Sequence, residues 1–154
     1  MTAGVELARF APLRRLTPRQ RDAVADTARD VAFAAGATVF AEGRQAEGCW
    51  LISAGRVALS TVVPGRGEVV LQTVGAGDVL GWSWLVPSQH WLLTATAIEP
   101  VRAVECDTTR LRALTEHDPA LGYALALGFY ELLLARLQST RARLLDLYGS
   151  PRER

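Results

Sequence analysis

The sequence lacks lysine altogether, so every basic charge outside its two histidines and the N-terminus is an arginine. Its 17 basic side chains nearly balance its 16 acidic ones, and the formal net charge is +1. No broad basic field can therefore neutralise phosphates, which argues against non-specific binding of nucleic acid. Because acids are interspersed nearby, we interpret two arginine clusters as solvated helix faces. They comprise Arg14, Arg15, Arg19 and Arg21 in the first and Arg136, Arg141 and Arg143 in the second.

Cysteine and histidine are also scarce. Cys49 and Cys106 show no C-x-x-C spacing, so we expect reduced thiols. A metal enzyme built on a small jelly roll needs two or three histidines and a carboxylate, and this sequence has only His90 and His117. Motifs of the GxSxG, HExxH and GxxxxGK types are absent from the sequence. We therefore expect no enzymatic activity and no metal.

Long apolar runs are missing as well. The first residues include Glu6 and Arg9 where a signal peptide requires an unbroken apolar stretch, and no run of about eighteen apolar residues occurs. We therefore expect a cytoplasmic protein without a membrane segment. A chain of 154 residues, 49% of them hydrophobic, has the size of one compact domain, which we assign to residues 1–154.

The first regular pattern in the chain is helical. Thr17 and Pro18 have the residue types of an N-cap and a first helical position, and Val24, Ala28 and Val31 follow at helical spacing. This predicts an N-terminal helical segment over residues 13–34.

Between residues 36 and 107 the periodicity changes to short strands separated by turns rich in glycine and proline. No helical pattern lies between these strands to connect them in parallel, so the sequence predicts a sandwich or barrel. A single helical turn is predicted at 81–86 and a short helix at 108–115. The predicted strands are 38–40, 49–53, 56–63, 68–74, 91–97 and 101–106.

The longest predicted helix covers residues 118–148, with Asp118 as N-cap and Gly149 just beyond its end. Between residues 121 and 137 only Glu131 and Arg136 are charged, and apolar side chains occupy every face. Such a helix must be covered on two sides. A domain of this size covers only one, so we predict a homodimer, with packing wholly inside the monomer as the alternative. Leu133, Leu137, Leu144 and Leu147 follow at near-heptad spacing, and the predicted dimer contact comprises Phe129, Leu133, Leu137 and Leu144.

Four segments, in the right order, resemble the cyclic nucleotide-binding domain of the catabolite-activator type. They are residues 33–43, 50–57, 74–81 and 97–107, and the resemblance extends from about Phe33 to about Leu145. It implies a mainly β protein with flanking helices, a jelly-roll-like β-roll and a long C-terminal dimerisation helix. The bacterial transcription factors of this family continue into a helix-turn-helix, whereas this sequence ends at Arg154. The resemblance therefore implies a stand-alone sensor that does not bind DNA directly.

The resemblance also places the ligand site and predicts that it is modified. In this family the segment that binds the cyclic phosphate is called the cassette. It has a glutamate directly after a glycine, and further on an arginine followed by a small residue. Here Trp82 occupies the glutamate position, and Trp91 and Leu92 occupy the other two, with His90 just before them. Losing a charge-assisted hydrogen bond costs about 1.5–3 kcal/mol, or about ten- to a hundredfold in affinity. We therefore expect no binding of cyclic AMP or cyclic GMP in the usual manner.

Two functional hypotheses follow. In the first, a dimeric regulatory module senses a cyclic nucleotide or another small anion, aided by backbone amides at the helical turn and by His90 at mildly acid pH. In the second, Trp82, Trp84 and Trp91 fill the pocket as core, and the roll and long helix form a ligand-free scaffold for a protein partner. The candidate ligand site consists of Gly81, Trp82, Ser83, His90, Trp91 and Leu92.

Overall fold

The computed structural model describes residues 6–149 and contains two antiparallel four-stranded sheets with helices at both ends of the chain. A 3-10 turn at Ala11–Leu13 precedes α1 (Pro18–Ala25), and α2 (Thr108–His117) and α3 (Pro119–Gly149) follow the sheets. The strands are β1 (Ala28–Phe33), β2 (Thr38–Phe40), β3 (Cys49–Ala54), β4 (Val57–Val63), β5 (Gly67–Val74), β6 (Val79–Leu80), β7 (Thr94–Ala97) and β8 (Val101–Cys106).

The two sheets form the predicted roll. Their strand orders are β1-β8-β3-β6 and β2-β7-β4-β5, and every pair is antiparallel. Strand β3 shows how the layers stack, because its residues alternate between two hydrophobic cores. Cys49 and Leu51 belong to a core shared with the helices, while Trp50 and Ile52 belong to the core inside the roll. This architecture confirms the predicted fold class.

The prediction of helix over residues 13–34 is wrong in its second half. Helix α1 begins as expected, since the Thr17 hydroxyl accepts a hydrogen bond from the Gln20 amide and the Gln20 side chain accepts one from the Thr17 amide. It ends at Ala25, and Ala28–Phe33 forms β1, which pairs with β8 along its whole length. Pairing with a strand seventy residues away overrides the helical propensity of an alanine-rich segment, and the sequence next to it carries no sign of that partner.

The predicted strand 91–97 is also too long at its start. Only Thr94–Ala97 joins the sheet as β7. The Trp91 amide instead donates to the Arg44 carbonyl at 2.8 Å, and the Trp91 carbonyl accepts from the Gly43 amide at 2.8 Å. The backbone of Trp91 therefore pairs with the loop at residues 43–44 and not with a strand of the sheet. Strand β6 was not predicted, because two residues carry no periodicity.

Helix α3 packs on the N-terminal segment at a close crossing. A Cβ atom on Gly128 would lie 2.1 Å from the Pro12 carbonyl oxygen, so the two backbones meet where only glycine fits. Phe129 follows it into the core, 3% exposed, with its ring edge-on to Trp84 at 6.1 Å. The assignment of Phe129 to a dimer contact is therefore wrong, since its side chain has no surface to offer. The Asp118 carboxylate accepts from the Leu121 amide at 3.1 Å, as an N-cap does.

Within residues 6–149, α3 is long and apolar enough to cross a membrane by length and composition alone. The sequence contains no unbroken apolar run of that length, but a window that tolerates up to two charged residues meets the criterion. Core helices of soluble proteins meet it too. Four residues of α3 are buried against the rest of this protein: Leu121, Leu125, Gly128 and Phe129.

Candidate functional site

A cavity of about 140 Å³ lies between the roll and α3, beside the end of β6. Its lining brings together five of the six residues predicted for the ligand site and adds five others. His90 is the exception, because it is exposed and its backbone bridges to Gln45 outside the lining. The lining residues are Phe40, Leu59, Leu80, Gly81, Trp82, Ser83, Trp91, Leu92, Leu93 and Arg136.

Gly81 lines the cavity at a position where only glycine fits. Its φ of +80° lies in the left-handed region, and a Cβ atom would stand 2.4 Å from the Gly48 carbonyl oxygen and 3.0 Å from Cη2 of Trp91. The chain can therefore turn directly beneath the Trp91 ring. This contact ties the cassette glycine to the loop that carries Trp91.

Trp91 forms an aromatic wall of the cavity. Its ring is 6% exposed and stacks on Phe40 with the centroids 4.0 Å apart and the planes at 17°. The Trp50 ring lies behind it at 6.1 Å, and the Trp50 indole N–H donates to Oε2 of Glu105 at 2.8 Å. The position that the resemblance predicts for the family's arginine holds a buried ring in this structure. An indole presents a face and a single N–H, so it cannot form the paired hydrogen bonds of a guanidinium.

The hypothesis that three indoles fill the pocket needs correction. Trp84 does not line the cavity: it is completely buried in the helical core beside Phe129. Trp82 lines the cavity but is only half-buried. The rings narrow the space without closing it.

The predicted helical turn at 81–86 is a three-residue 3-10 turn, Ser83–Leu85. A turn this short has too few aligned peptide units to act as a helix dipole, so the expected attraction of an anion by backbone amides has little support. The Ser83 side chain remains among the lining residues as a hydroxyl.

Arg136 supplies the charge in the cavity lining, so the prediction that it lies on a solvated helix face is wrong. It extends from α3 with its Cζ 4.4 Å from the centroid of the Trp82 ring. Its Nη2 donates to the Val79 carbonyl at 3.3 Å, while its Nη1 is buried and has no hydrogen-bond partner among residues 6–149. Burial lowers the pKa of Arg136, and the negative charge of Asp78 acts in the opposite direction. Arginine nevertheless keeps its charge in proteins.

A buried guanidinium nitrogen without a hydrogen-bond partner is an unfavourable arrangement, and here it belongs to a residue that lines the cavity. The sequence around the predicted ligand site did not indicate Arg136, because this residue lies forty-five positions after Trp91. One signal was present: Arg136 is one of only two charged residues within the apolar stretch 121–137. A charged residue within an apolar helix indicates that its side chain has different surroundings from those of its apolar neighbours.

The two cysteines, distant in sequence, lie directly opposite each other in the register of β3 and β8. Both are buried and free in the structure. The neighbouring Cys106 thiol, followed by burial, raises the pKa of Cys49. Among the described residues no cluster of His, Cys, Asp and Glu has the makeup of a metal site.

Comparison with known proteins agrees with this architecture. Residues 30–118, more than half of the chain, match the sequence model of the cyclic nucleotide-binding domain. The chain belongs to the cyclic nucleotide-binding domain family. Family membership accounts for the roll.

Relatives in this family include a CRP-like cAMP-activated global transcriptional regulator of Mycobacterium tuberculosis, 30% identical over 141 residues. That match covers 92% of this chain and 61% of the relative, so the chain spans about three fifths of the length of the curated relatives it matches. Among solved structures, a Geobacter metallireducens protein provisionally named a cyclic nucleotide-binding protein has a TM-score of 0.79 and 28% identity, covering 89% of this chain and 99% of its own. A cyclic nucleotide-binding domain from Methylobacillus flagellatus has the same fold, with a TM-score of 0.82 at 18% identity over 94% and 85% of the two chains.

Proposed function

We propose that the chain is a ligand-sensing regulatory module that dimerises through α3 and whose modified cassette does not bind cyclic AMP or cyclic GMP in the family's usual manner. The family is regulatory, and the M. tuberculosis relative is named for activation by cAMP. The ligand-sensing part of the proposal extends that regulatory character to this chain. The proposed location is the cytoplasm, with the apolar faces of α3 covered by protein.

One observation carries the proposal: the same helix contributes to the cavity and presents an apolar surface. Arg136 lines the cavity, whereas Leu133 and Leu137, its near neighbours on α3, are 40% and 46% exposed. Leu144 continues the exposed face at 52%. Successive helical residues point about 100° apart, so Arg136 and the leucines lie on different faces of one helix. A shift of α3 that moves Arg136 therefore also moves the exposed leucines. Occupancy of the cavity is thereby coupled to the proposed dimer contact.

The modified cassette is supported by the size and lining of the cavity. A volume of about 140 Å³ is small beside the roughly 300–1,000 Å³ of pockets that enclose drug-sized ligands. Trp82 and Trp91 occupy the positions of the family's ribose and phosphate contacts. We expect affinity for cyclic AMP to fall by about ten- to a hundredfold for each lost charge-assisted bond.

Sedimentation velocity of wild type and Leu137→Glu tests the dimer. Wild type should sediment as a species of twice the chain mass of 16.7 kDa. The sedimentation coefficient of Leu137→Glu should shift toward that of the monomer, because the substitution places a charge in the apolar contact. Gln138→Glu is the matched control, since the exposed Gln138 adds the same charge about 100° around the helix. A monomeric wild type, or a Leu137→Glu protein that remains dimeric, would contradict the proposal.

Isothermal titration with cyclic AMP and cyclic GMP tests the cassette. We expect little or no heat with either nucleotide. Tight binding of either one would overturn the claim of a modified cassette while leaving the regulatory assignment intact.

The scaffold hypothesis remains the second candidate, and the apolar exposed face of α3 favours it. It predicts an intact dimer whose sedimentation and stability respond to no small molecule.

A further inference from the structure

We propose that the cavity binds a small monoanion with a single ring-sized apolar body, a monocyclic carboxylate, and that Arg136 is its charge partner. This proposal rests on the ligand-sensing function proposed above and names the ligand class. It follows from three properties of the cavity: its volume, its apolar lining and the single cationic side chain in that lining.

The volume limits the ligand to one ring. An apolar cavity of roughly 150 Å³ is filled by one benzene molecule. The cavity here has about 140 Å³. A purine, a sugar and a cyclic phosphate together need far more room than one six-membered ring, so a nucleotide enclosed in this cavity would have to displace lining side chains.

The lining favours an apolar or aromatic body. Phe40 and Trp91 form a continuous stacked wall, and Leu59 and Leu80 are buried beside them. Aromatic rings pack favourably against such a wall in offset or edge-on geometry. Leu92 is 83% exposed and marks the side of the cavity that faces solvent.

The charge of the ligand is set by Arg136. Within residues 6–149 it is the only charged side chain that lines the cavity, and its Nη1 is buried with no hydrogen-bond partner in that range. Arg136 carries one positive charge, which the nearby Asp78 already offsets in part, so a ligand with one negative charge suits the cavity better than one with two. A carboxylate therefore suits the site better than a phosphate dianion, and the Ser83 hydroxyl can donate to its second oxygen.

A structural role for Arg136 makes a different prediction. The contact with the Trp82 ring and the hydrogen bond to Val79 tie α3 to the roll, and they would do so with the cavity empty. In that case the cavity would not discriminate between a charged ligand and a neutral one of the same shape.

The test uses the ¹⁵N-labelled full chain and follows the four tryptophan indole N–H signals by NMR, each assigned by a Trp→Phe variant. Benzoate is the probe, benzamide is its neutral counterpart of the same size, and cyclic AMP is the family's ligand. Trp82 and Trp91 report from the cavity, and Trp84, buried elsewhere, is the internal control.

We expect benzoate to shift the Trp82 and Trp91 signals with saturation, to leave Trp84 unmoved, and to bind wild type at least tenfold more tightly than benzamide does. Arg136→Gln should weaken benzoate binding about ten- to a hundredfold and leave benzamide binding within about twofold. Arg141→Gln, which removes an exposed arginine from the same helix, should change neither. Arg136→Lys keeps the charge and should retain part of the benzoate affinity.

Equal binding of benzoate and benzamide by wild type would overturn the proposal, as would benzoate binding that survives Arg136→Gln. Should Arg136→Gln fail to fold, the comparison of benzoate with benzamide on wild type decides the question alone. Tight binding of cyclic AMP without benzoate binding would refute the ligand class and leave the sensing function standing. Failure of the proposed dimer would appear separately, as a monomeric wild type in sedimentation, whether or not benzoate binds.

Discussion

Replacing Gly128 by alanine tests whether α3 is held on the N-terminal segment by direct backbone contact. The added Cβ would lie 2.1 Å from the Pro12 carbonyl oxygen and 2.7 Å from both its carbonyl carbon and its Cα. Carbon atoms pack best at about 3.5–4.0 Å, so the helix or the turn must move by about 1 Å or more. No flexible side chain can absorb that movement, because the obstructing atoms are backbone.

The net effect is a balance of two opposing terms. Alanine in a helix interior is favoured over glycine by up to about 1 kcal/mol, whereas overpacking a tight contact costs about 1–3 kcal/mol. Since the overlap here is severe, we expect the cost to win and the free energy of unfolding to fall by about 1–2 kcal/mol. Movement of α3 should also withdraw Arg136 from the cavity.

Two other glycines of α3 provide matched controls. A Cβ on Gly122 would lie 3.1 Å from the Thr115 Cβ and carbonyl oxygen, a mild crowding that the helical gain should offset, and a Cβ on Gly149 would meet nothing within 4 Å. Urea unfolding at one fixed protein concentration should therefore rank Gly149→Ala and Gly122→Ala close to wild type and Gly128→Ala clearly below them. A Gly128→Ala protein as stable as wild type would refute the proposed close packing of the two backbones.

Three further changes have defined outcomes. Because the pKa of Cys49 is raised in the folded state, the stability that this thiol contributes is complete below its unfolded pKa of about 8.5 and is lost as pH rises beyond that value. The urea midpoint of wild type should therefore fall above about pH 8.5, and that of Cys49→Ala should fall less. An equal decrease of the midpoint with pH in both proteins would contradict this. Trp91→Ala removes a buried ring stacked on Phe40 and should lower the free energy of unfolding by about 3–5 kcal/mol in the same assay, whereas a loss below about 1 kcal/mol would mean that the ring does not pack as described. Thr17→Ala breaks the reciprocal capping bonds with Gln20 and should cost about 1 kcal/mol, measurable as a lower thermal midpoint; an unchanged midpoint would show that α1 does not depend on its cap.

Several features of this protein were readable from local sequence. The roll was predicted because strand-length apolar runs are separated by glycines and prolines that allow only turns, and Thr17 and Asp118 were recognised because capping depends on neighbours within three residues. The candidate ligand site was predicted because Gly81 belongs to a run that resembles the family's, and that prediction has yet to be tested. Each of these signals is contained in a short segment of chain.

The tertiary structure alone decided which side chains meet across distant segments. Ala28–Phe33 is a strand because β8 pairs with it, and Phe129 is core because Trp84 and the N-terminal turn cover it. Arg136 enters the cavity because α3 crosses the roll at that point, and no pattern around residue 136 specifies that crossing. The physical reason is that conformational preference and capping are local, whereas burial and charge pairing depend on whichever element packs against a residue.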